Sequence, residues 1–213
     1  MRWILGLMPE ILAGSLLLVP ILLIFNHAYF HNLKKTLWYL LMGVYLIAVL
    51  CLVGFPNIRY FRFDPNVNLI PFRDMADGRV ATVLNVIMFI PLGVFLPTLW
   101  RTYRKFSRTA SYALAATLFI ELSQLFTGRA TDVDDLITNF FGCCLGYGIY
   151  RLAAAVHPPH PGKHGNPTDL LLLCGAVVFV VFVPLPYVYP VFFRLFDHYN
   201  TAAFFQDVLR AEI

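Results

Sequence analysis

The sequence predicts an all-α fold: a polytopic bundle of about six transmembrane helices, with a short interfacial helix at the C-terminus. Hydrophobic residues make up 59% of the 213-residue chain and charged residues 13%, whereas soluble domains carry about 25% charged residues. The mean hydropathy of +0.70 also indicates an integral membrane protein. The sequence contains no visible repeat and no second soluble segment, so we expect a single transmembrane domain over residues 1–213.

Long apolar runs separated by polar connections define the expected spans, because a helix needs about 20 apolar residues to cross a bilayer. The sixth run is a span only if residues 187–193 continue it beyond Pro184 and Pro186; otherwise it is a broken or re-entrant helix. After Asn200, apolar and polar residues take opposite faces of a short helix, a pattern typical of interfacial helices. The six runs cover residues 8–25, 36–55, 80–100, 109–126, 133–155 and 170–193.

The distribution of positive charge predicts the orientation in the membrane. The connection Arg101–Arg108 contains four positive charges and no acid. The Lys and Arg residues divide equally between the two sides, but the positive-inside rule gives most weight to charges beside the ends of spans. We therefore expect this connection in the cytoplasm, with the loops 68–74 and 129–135 on the outer face. The positive charges are spread over several short segments, unlike a nucleic-acid-binding surface, so we expect no nucleic-acid partner.

A polar stretch within the apolar sequence is the expected functional site. Residues 121–148 contain a glutamate, a glutamine, an arginine and three aspartates. An ionisable residue at the centre of a spanning helix costs roughly 2.5–3.5 kcal/mol on insertion scales, so these residues need compensating partners. Glu121 and Gln124 are three residues apart and share one face of the fourth span.

The fifth span carries a polar and glycine stripe. Asp135, Asn139, Gly142 and Gly146 follow one another at steps of four, three and four residues, which places them on one helical face. A GxxxG pair allows close approach of a second helix. We expect the fourth span to be that partner, because the loop between the two spans is short.

Two structural roles account for part of this pattern. Thr131 or Asp132 can cap the fifth span, and Asp134 and Asp135 suit its positive N-terminal end. Capping does not account for Glu121, Gln124 and Asn139, which lie inside spans. The second role is an internal ion-pair network, in which Arg73 or Arg129 neutralises Glu121 and Asp135.

Three functional hypotheses remain. The first is a pocket for an amphiphile, in which arginines bind phosphate or carboxylate and aromatic side chains contact a lipid tail. The second is acid/base hydrolysis or transfer on a lipid-linked substrate, with Glu121 and Asp135 as catalytic carboxylates. A Mg²⁺ or Ca²⁺ site is chemically feasible, but we assign no metal and no cofactor. The predicted binding residues are Asn68, Phe72, Arg73, Asn85, Gln124, Arg129, Asp132, Asp134 and Asn139.

The order and spacing of these residues resemble the VanZ-like family of membrane proteins. The resemblance covers about residues 36–151, so the span at 8–25 and the extension at 168–213 lie outside the family core. The resembling segments are Asn68-Leu69-Ile70-Pro71-Phe72, Asn85 with Phe89-Ile90-Pro91-Leu92-Gly93, Glu121 with Gln124, Arg129 with Asp132, Asp134 and Asp135, and Asn139 with Gly142 and Gly146.

The resemblance implies a multi-pass protein of the bacterial inner membrane. The founding member of the family is tied to resistance against teicoplanin, a lipidated glycopeptide that acts outside the cell on peptidoglycan precursors. We therefore expect an outward-facing site that binds an amphiphilic glycopeptide or a lipid-linked envelope precursor. The alternatives are a membrane-embedded hydrolase or transferase acting on such a lipid and, with weaker support from the sequence, a transporter or channel.

Overall fold

The predicted all-α fold is confirmed by the structure, a computed structural model that describes residues 2–59, 61–63, 66–68, 70, 79–127, 130–157 and 165–194. Two three-residue strands, which the sequence did not predict, pair with each other. The residues after 194, including the expected interfacial C-terminal helix, lie outside the described part of the chain. The α-helices are α1 (Arg2–Phe25), α2 (Leu33–Leu52), α3 (Arg79–Leu99), α4 (Phe106–Gln124), α5 (Val133–Val156), α6 (Pro167–Phe182) and α7 (Leu185–Arg194), and the strands are β1 (Asn66–Asn68) and β2 (Ala130–Asp132).

Within the described residues, three helical segments are long and apolar enough to cross a membrane: Leu7–Phe30, Leu33–Leu52 and Val80–Leu99. The helices α6 and α7 are bent by 60° relative to each other and count as a fourth span if they form one broken span. This is the break that Pro184 and Pro186 led us to consider. Helices α4 and α5 carry more polar residues and are not among the segments that are long and apolar enough to cross a membrane. The number of about six spans therefore stays a prediction.

The chain divides into two compact units, each of which combines separate stretches of sequence. One unit comprises Met1–Leu52, Asn57–Arg59 and Cys174–Ile213, and the other comprises Val53–Pro56 and Tyr60–Leu173. The expectation of a single transmembrane domain stays a prediction.

The first unit contains α1, α2, α7 and most of α6. Gly14 of α1 lies against Ile47 of α2, where a Cβ on the glycine would stand 3.0 Å from the Ile47 side chain and 3.6 Å from that of Leu185. A short π-helix, Asn26–Phe30, continues α1 towards the turn before α2. The Asn26 side chain accepts a hydrogen bond from the Thr36 hydroxyl at 2.9 Å. The α1–α2 connection is therefore a hydrogen-bonded turn.

The second unit is built on α3, α4, α5 and the strand pair. β1 and β2 run parallel, with Asn66 opposite Ala130 and Asn68 opposite Asp132. Because β1 precedes α3 and β2 precedes α5, this pairing holds the chain segments leading into the two helices side by side. α3 continues through Pro91 and Pro97 as one helix.

A close contact between α3 and α5 organises the second unit. A Cβ added to Gly142 would collide with the carbonyl oxygen of Val86, and one added to Gly146 would collide with that of Ile90. A Cβ on Gly93 would collide with the main chain of α5. Because Gly142 faces Val86 and Gly146 faces Ile90, the two helices run in the same direction. Glycine on both helices allows this backbone separation.

The prediction that the glycine pair packs against the fourth span was wrong, since α3 takes that position. Close approach of two helix backbones requires small residues at the contact. α3 supplies Gly93, whereas α4 contains no glycine between Phe106 and Gln124. A short connecting loop brings α4 next to α5, but the glycine pair of α5 faces α3.

We predict that Gly146→Ala lowers the thermal stability of the purified protein, because its methyl group would overlap the Ile90 carbonyl. Overpacking of this kind costs about 1–3 kcal/mol. Gly148→Ala is the matched control, since no described atom lies within 4 Å of a Cβ at that position of the same helix. Unfolding of both variants in detergent measures the difference, and equal melting temperatures would contradict the close α3–α5 contact.

Candidate functional site

The predicted polar site residues that the structure describes gather at one end of the second unit. This end contains the strand pair, the N-terminal turns of α3 and α5, and the C-terminal turn of α4. Glu121 is 1% exposed and Asn139 is 2% exposed, and Gln124 and Asp134 are also buried. Buried polar groups of this kind are stable only when they form hydrogen bonds.

Glu121 attaches the last turn of α4 to β2. One carboxylate oxygen, Oε2, accepts a hydrogen bond of 3.0 Å from the backbone N–H of Asp132. The main-chain carbonyl of Glu121 accepts a second bond of 3.0 Å from the hydroxyl of Thr131. The carboxylate therefore fixes the path of the chain between α4 and α5, a structural contribution that coexists with any role in binding.

Asp132 caps α5 and also contacts the β1 segment. Its Oδ1 accepts a hydrogen bond of 2.9 Å from the N–H of Asp134, the N-cap interaction that the sequence allowed for Thr131 or Asp132. Its other oxygen lies 3.4 Å from the side-chain nitrogen of Asn68, which donates to it. Asp132 thus combines the expected cap with a contact to another predicted site residue.

Asp135 connects α5 to α3. Its Oδ1 accepts a hydrogen bond of 2.6 Å from the side-chain amide of Asn85. Both residues are only partly buried, so they lie closer to the surface of the unit than Glu121 does. The structure therefore brings two predicted site residues from different helices into direct contact.

Asn139 faces α4, one helical turn along α5 from Asp135. Its side-chain nitrogen donates a hydrogen bond of 3.0 Å to the hydroxyl of Thr117, which is fully buried. The side-chain oxygen of Asn139 is buried and has no hydrogen-bond partner among the described residues. The sequence analysis missed Thr117, although its position four residues before Glu121 places both on one face of α4.

Gln124 and a group of aromatic side chains extend the site towards the segment before β1. The Gln124 amide lies 3.5 Å from the carbonyl oxygen of Val53, so its side chain contacts a different part of the unit from Glu121. Phe61 stacks on Phe126 with ring centroids 4.5 Å apart, and Phe63 lies 5.6 Å from the same ring. Phe61 and Phe63 remain more than half exposed. We call these three residues the aromatic platform.

Three predicted binding residues, Phe72, Arg73 and Arg129, lie outside the described residues. The ion-pair network between the two arginines and the carboxylates therefore stays a prediction. Among the described residues, no group of three or more His, Cys, Asp or Glu side chains is arranged to hold a metal ion. The described site consists of carboxylates, amides and hydroxyls, which suits hydrogen bonding to a polar group.

These features define a helical membrane protein with a hydrogen-bonded network of carboxylates and amides at one end of a helix bundle. Residues 39–154 match the model of the VanZ/LLP1 family. The chain is 32% identical over 151 residues to Protein VanZ of Enterococcus faecium, a match that covers 66% of this chain and 87% of that protein. No solved structure matches this chain.

The chain belongs to the VanZ/LLP1 family, which confirms the resemblance drawn from its motifs. The matched segment nearly coincides with the predicted core of residues 36–151. It contains every candidate site residue, from Asn68 in β1 to Asn139 in α5, and the three contact glycines Gly93, Gly142 and Gly146.

We predict that Asp132→Ala destabilises the protein by about 0.5–2 kcal/mol, the usual effect of removing an N-cap acceptor. Asp132→Asn should retain most of the stability, because its side-chain oxygen can still accept from the Asp134 N–H. Thermal unfolding of the two variants in detergent separates capping from charge. Equal destabilisation by both changes would show that the negative charge, rather than the cap, holds this end of α5.

Proposed function

We propose that this chain is a cell-envelope protein that binds an amphiphilic glycopeptide or a lipid-linked envelope precursor and so contributes to glycopeptide resistance of the teicoplanin type. The observation that carries the proposal is the similarity to Protein VanZ, which extends over 87% of that protein. Resistance against a lipidated glycopeptide is the function that the family resemblance implies.

The chemistry of the site supports an amphiphilic ligand. Asn68, Asp132 and Asp135 are partly exposed and present amide and carboxylate groups to which hydroxyl, amide and ammonium groups of a ligand can bind. The aromatic platform adjoins this group along the chain, because Phe63 lies three residues before β1 and Phe126 lies five residues after Glu121. It offers apolar surface to an acyl chain. A ligand with a polar head and an apolar tail would use both surfaces at once.

The buried and the partly exposed residues would then have separate roles. Glu121 and Asn139 are almost inaccessible and hold α4 against the β2–α5 segment through their hydrogen bonds. The partly exposed Asp135, which accepts a hydrogen bond from Asn85, is a direct contact for the ligand. Loss of a buried residue would distort the site, and loss of an exposed residue would remove a ligand contact.

The proposed protein crosses the inner membrane several times and has its polar site on the outer face. The connection Arg101–Arg108 lies at the opposite end of the second unit from the strand pair, since α4 runs from the first to the second. A cytoplasmic position of the cations would therefore put Asn68 and Asp132 on the outer side, where glycopeptides act.

We predict that Asp135→Asn and Glu121→Gln abolish protection when the chain is expressed in a teicoplanin-sensitive bacterium. Both changes keep side-chain shape and remove a carboxylate. The minimal inhibitory concentration should return to the empty-vector value. Glu10→Gln is the matched control, because it removes a carboxylate from α1, outside the family match, and should leave protection intact.

Each variant is first purified to verify that it is folded and present in the membrane at the wild-type level. Folded Asp135→Asn and Glu121→Gln proteins that still protect the cell would contradict the proposed site. Mass spectrometry of lipid extracts provides a further readout. A lipid product formed by the wild type and absent with both variants would favour the alternative of a membrane-embedded hydrolase or transferase.

We predict that a cysteine at Val67 is labelled from outside intact cells by a membrane-impermeant maleimide. A cysteine at Ser107 should be labelled only after the membrane is permeabilised. Both residues are exposed, and the native cysteines are replaced in both variants. The reverse labelling pattern would put the polar site in the cytoplasm and overturn the proposed contact with an external glycopeptide.

A further inference from the structure

The turn between α3 and α4 is the most positively charged part of the second unit. Arg101, Lys105 and Arg108 are exposed and Arg104 is partly exposed. No acidic residue occurs between Arg79 and Ile120 in the sequence, so the turn and the adjoining parts of α3 and α4 carry positive charge only. The proposed function uses this turn only for the orientation of the chain in the membrane and assigns it no ligand.

The backbone of the turn is held by several hydrogen bonds. Residues 101–104 form one turn of 3-10 helix, and the hydroxyl of Thr109 donates to the carbonyl oxygen of Tyr103 at 2.6 Å. Trp100, which is fully buried, donates from its indole N–H to the carbonyl oxygen of Asn166 at 3.0 Å. The cationic side chains therefore project from an ordered backbone.

The C-terminal part of α5 adds a fifth cation to this end of the unit. The hydroxyl of Tyr147 donates to the carbonyl oxygen of Arg104 at 2.6 Å, and its ring lies 5.3 Å from that of Phe106. Arg151 is exposed one helical turn after Tyr147. We define the basic end as Arg101, Arg104, Lys105, Arg108 and Arg151.

Aromatic side chains lie beside the basic end. Tyr103 and Tyr112 pack edge to face at 5.5 Å, and Phe106 is about half exposed. Aromatic residues of this kind concentrate at the level of lipid head groups, where one part of the ring is apolar and the other meets water. A position of the basic end at the membrane surface would put its cations at the depth of the phosphates in the adjacent leaflet.

We propose that the basic end binds the phosphate groups of anionic phospholipids. Clustered Lys and Arg beside spanning helices attract anionic lipids, and Arg forms bidentate hydrogen bonds with phosphate oxygens. The charges of the surface and the lipid are complementary, and the neighbouring aromatic rings offer contact to the glycerol and upper acyl region. Zwitterionic lipids lack the net negative charge that this surface selects.

The test compares two double variants of the full-length protein in a neutral detergent. Lys105→Gln with Arg108→Gln removes one lysine and one arginine from the basic end. Lys34→Gln with Arg194→Gln removes one lysine and one arginine that are equally classed as exposed but lie in the other unit. The readout is thermal unfolding by tryptophan fluorescence during titration with phosphatidylglycerol, phosphatidylcholine or inorganic phosphate.

Phosphatidylglycerol should raise the melting temperature of the wild type and of the Lys34/Arg194 variant, and added salt should weaken this effect. The Lys105/Arg108 variant should keep the wild-type melting temperature without lipid and bind phosphatidylglycerol about tenfold or more weakly. Equal losses in both variants, equal stabilisation by phosphatidylcholine, or full stabilisation by inorganic phosphate would each overturn the proposal. Protection against teicoplanin is measured separately, so its loss or survival in these variants does not bear on lipid binding.

Discussion

The close contact between α3 and α5 is the constraint on which the second unit depends. Gly93, Gly142 and Gly146 allow the two backbones to touch, and the parallel pairing of β1 with β2 continues this alignment beyond the helix ends. With the helices held in this way, the amide of Asn85 reaches the carboxylate of Asp135. The polar site therefore depends on this backbone packing, which determines which side chains can meet there.

The polar network in turn depends on burial without loss of hydrogen bonds. Taking a carboxylate away from water is unfavourable unless donors replace the water, and Glu121 obtains one from the backbone N–H of Asp132. This hydrogen bond also fixes the position of β2, because the donor is a backbone N–H of that strand. Glu121 thus links α4 to the segment before α5, although a carboxylate is an unusual residue in an apolar bundle. The same network can serve both folding and binding.

The sequence predicted the helices well, because long apolar runs and their polar ends depend on local properties of the chain. It also allowed Thr131 or Asp132 as the cap of α5, a role that Asp132 fills, and it singled out the buried Glu121 and Asn139 as polar candidates. It did not predict the strand pair, since three-residue segments 64 positions apart carry no periodic signal. The partner of Gly142 and Gly146 was misassigned, because a GxxxG pattern reveals a contact face but not the helix that occupies it. Thr117 was overlooked because a single threonine in a spanning helix usually bonds only to its own backbone.

The parallel strand pair links α3 to α5 by main-chain hydrogen bonds, and α4 has no such link to either helix among the described residues. Sliding or rotating α3 against α5 would unpair the strands and produce clashes at the glycines. Displacing α4 breaks chiefly side-chain bonds, such as those from Asn139 to Thr117 and from the Asp132 N–H to Glu121. Movement of α4 away from α5 would therefore leave the strand pair and the glycine contact intact, and it would expose the buried oxygen of Asn139 to water.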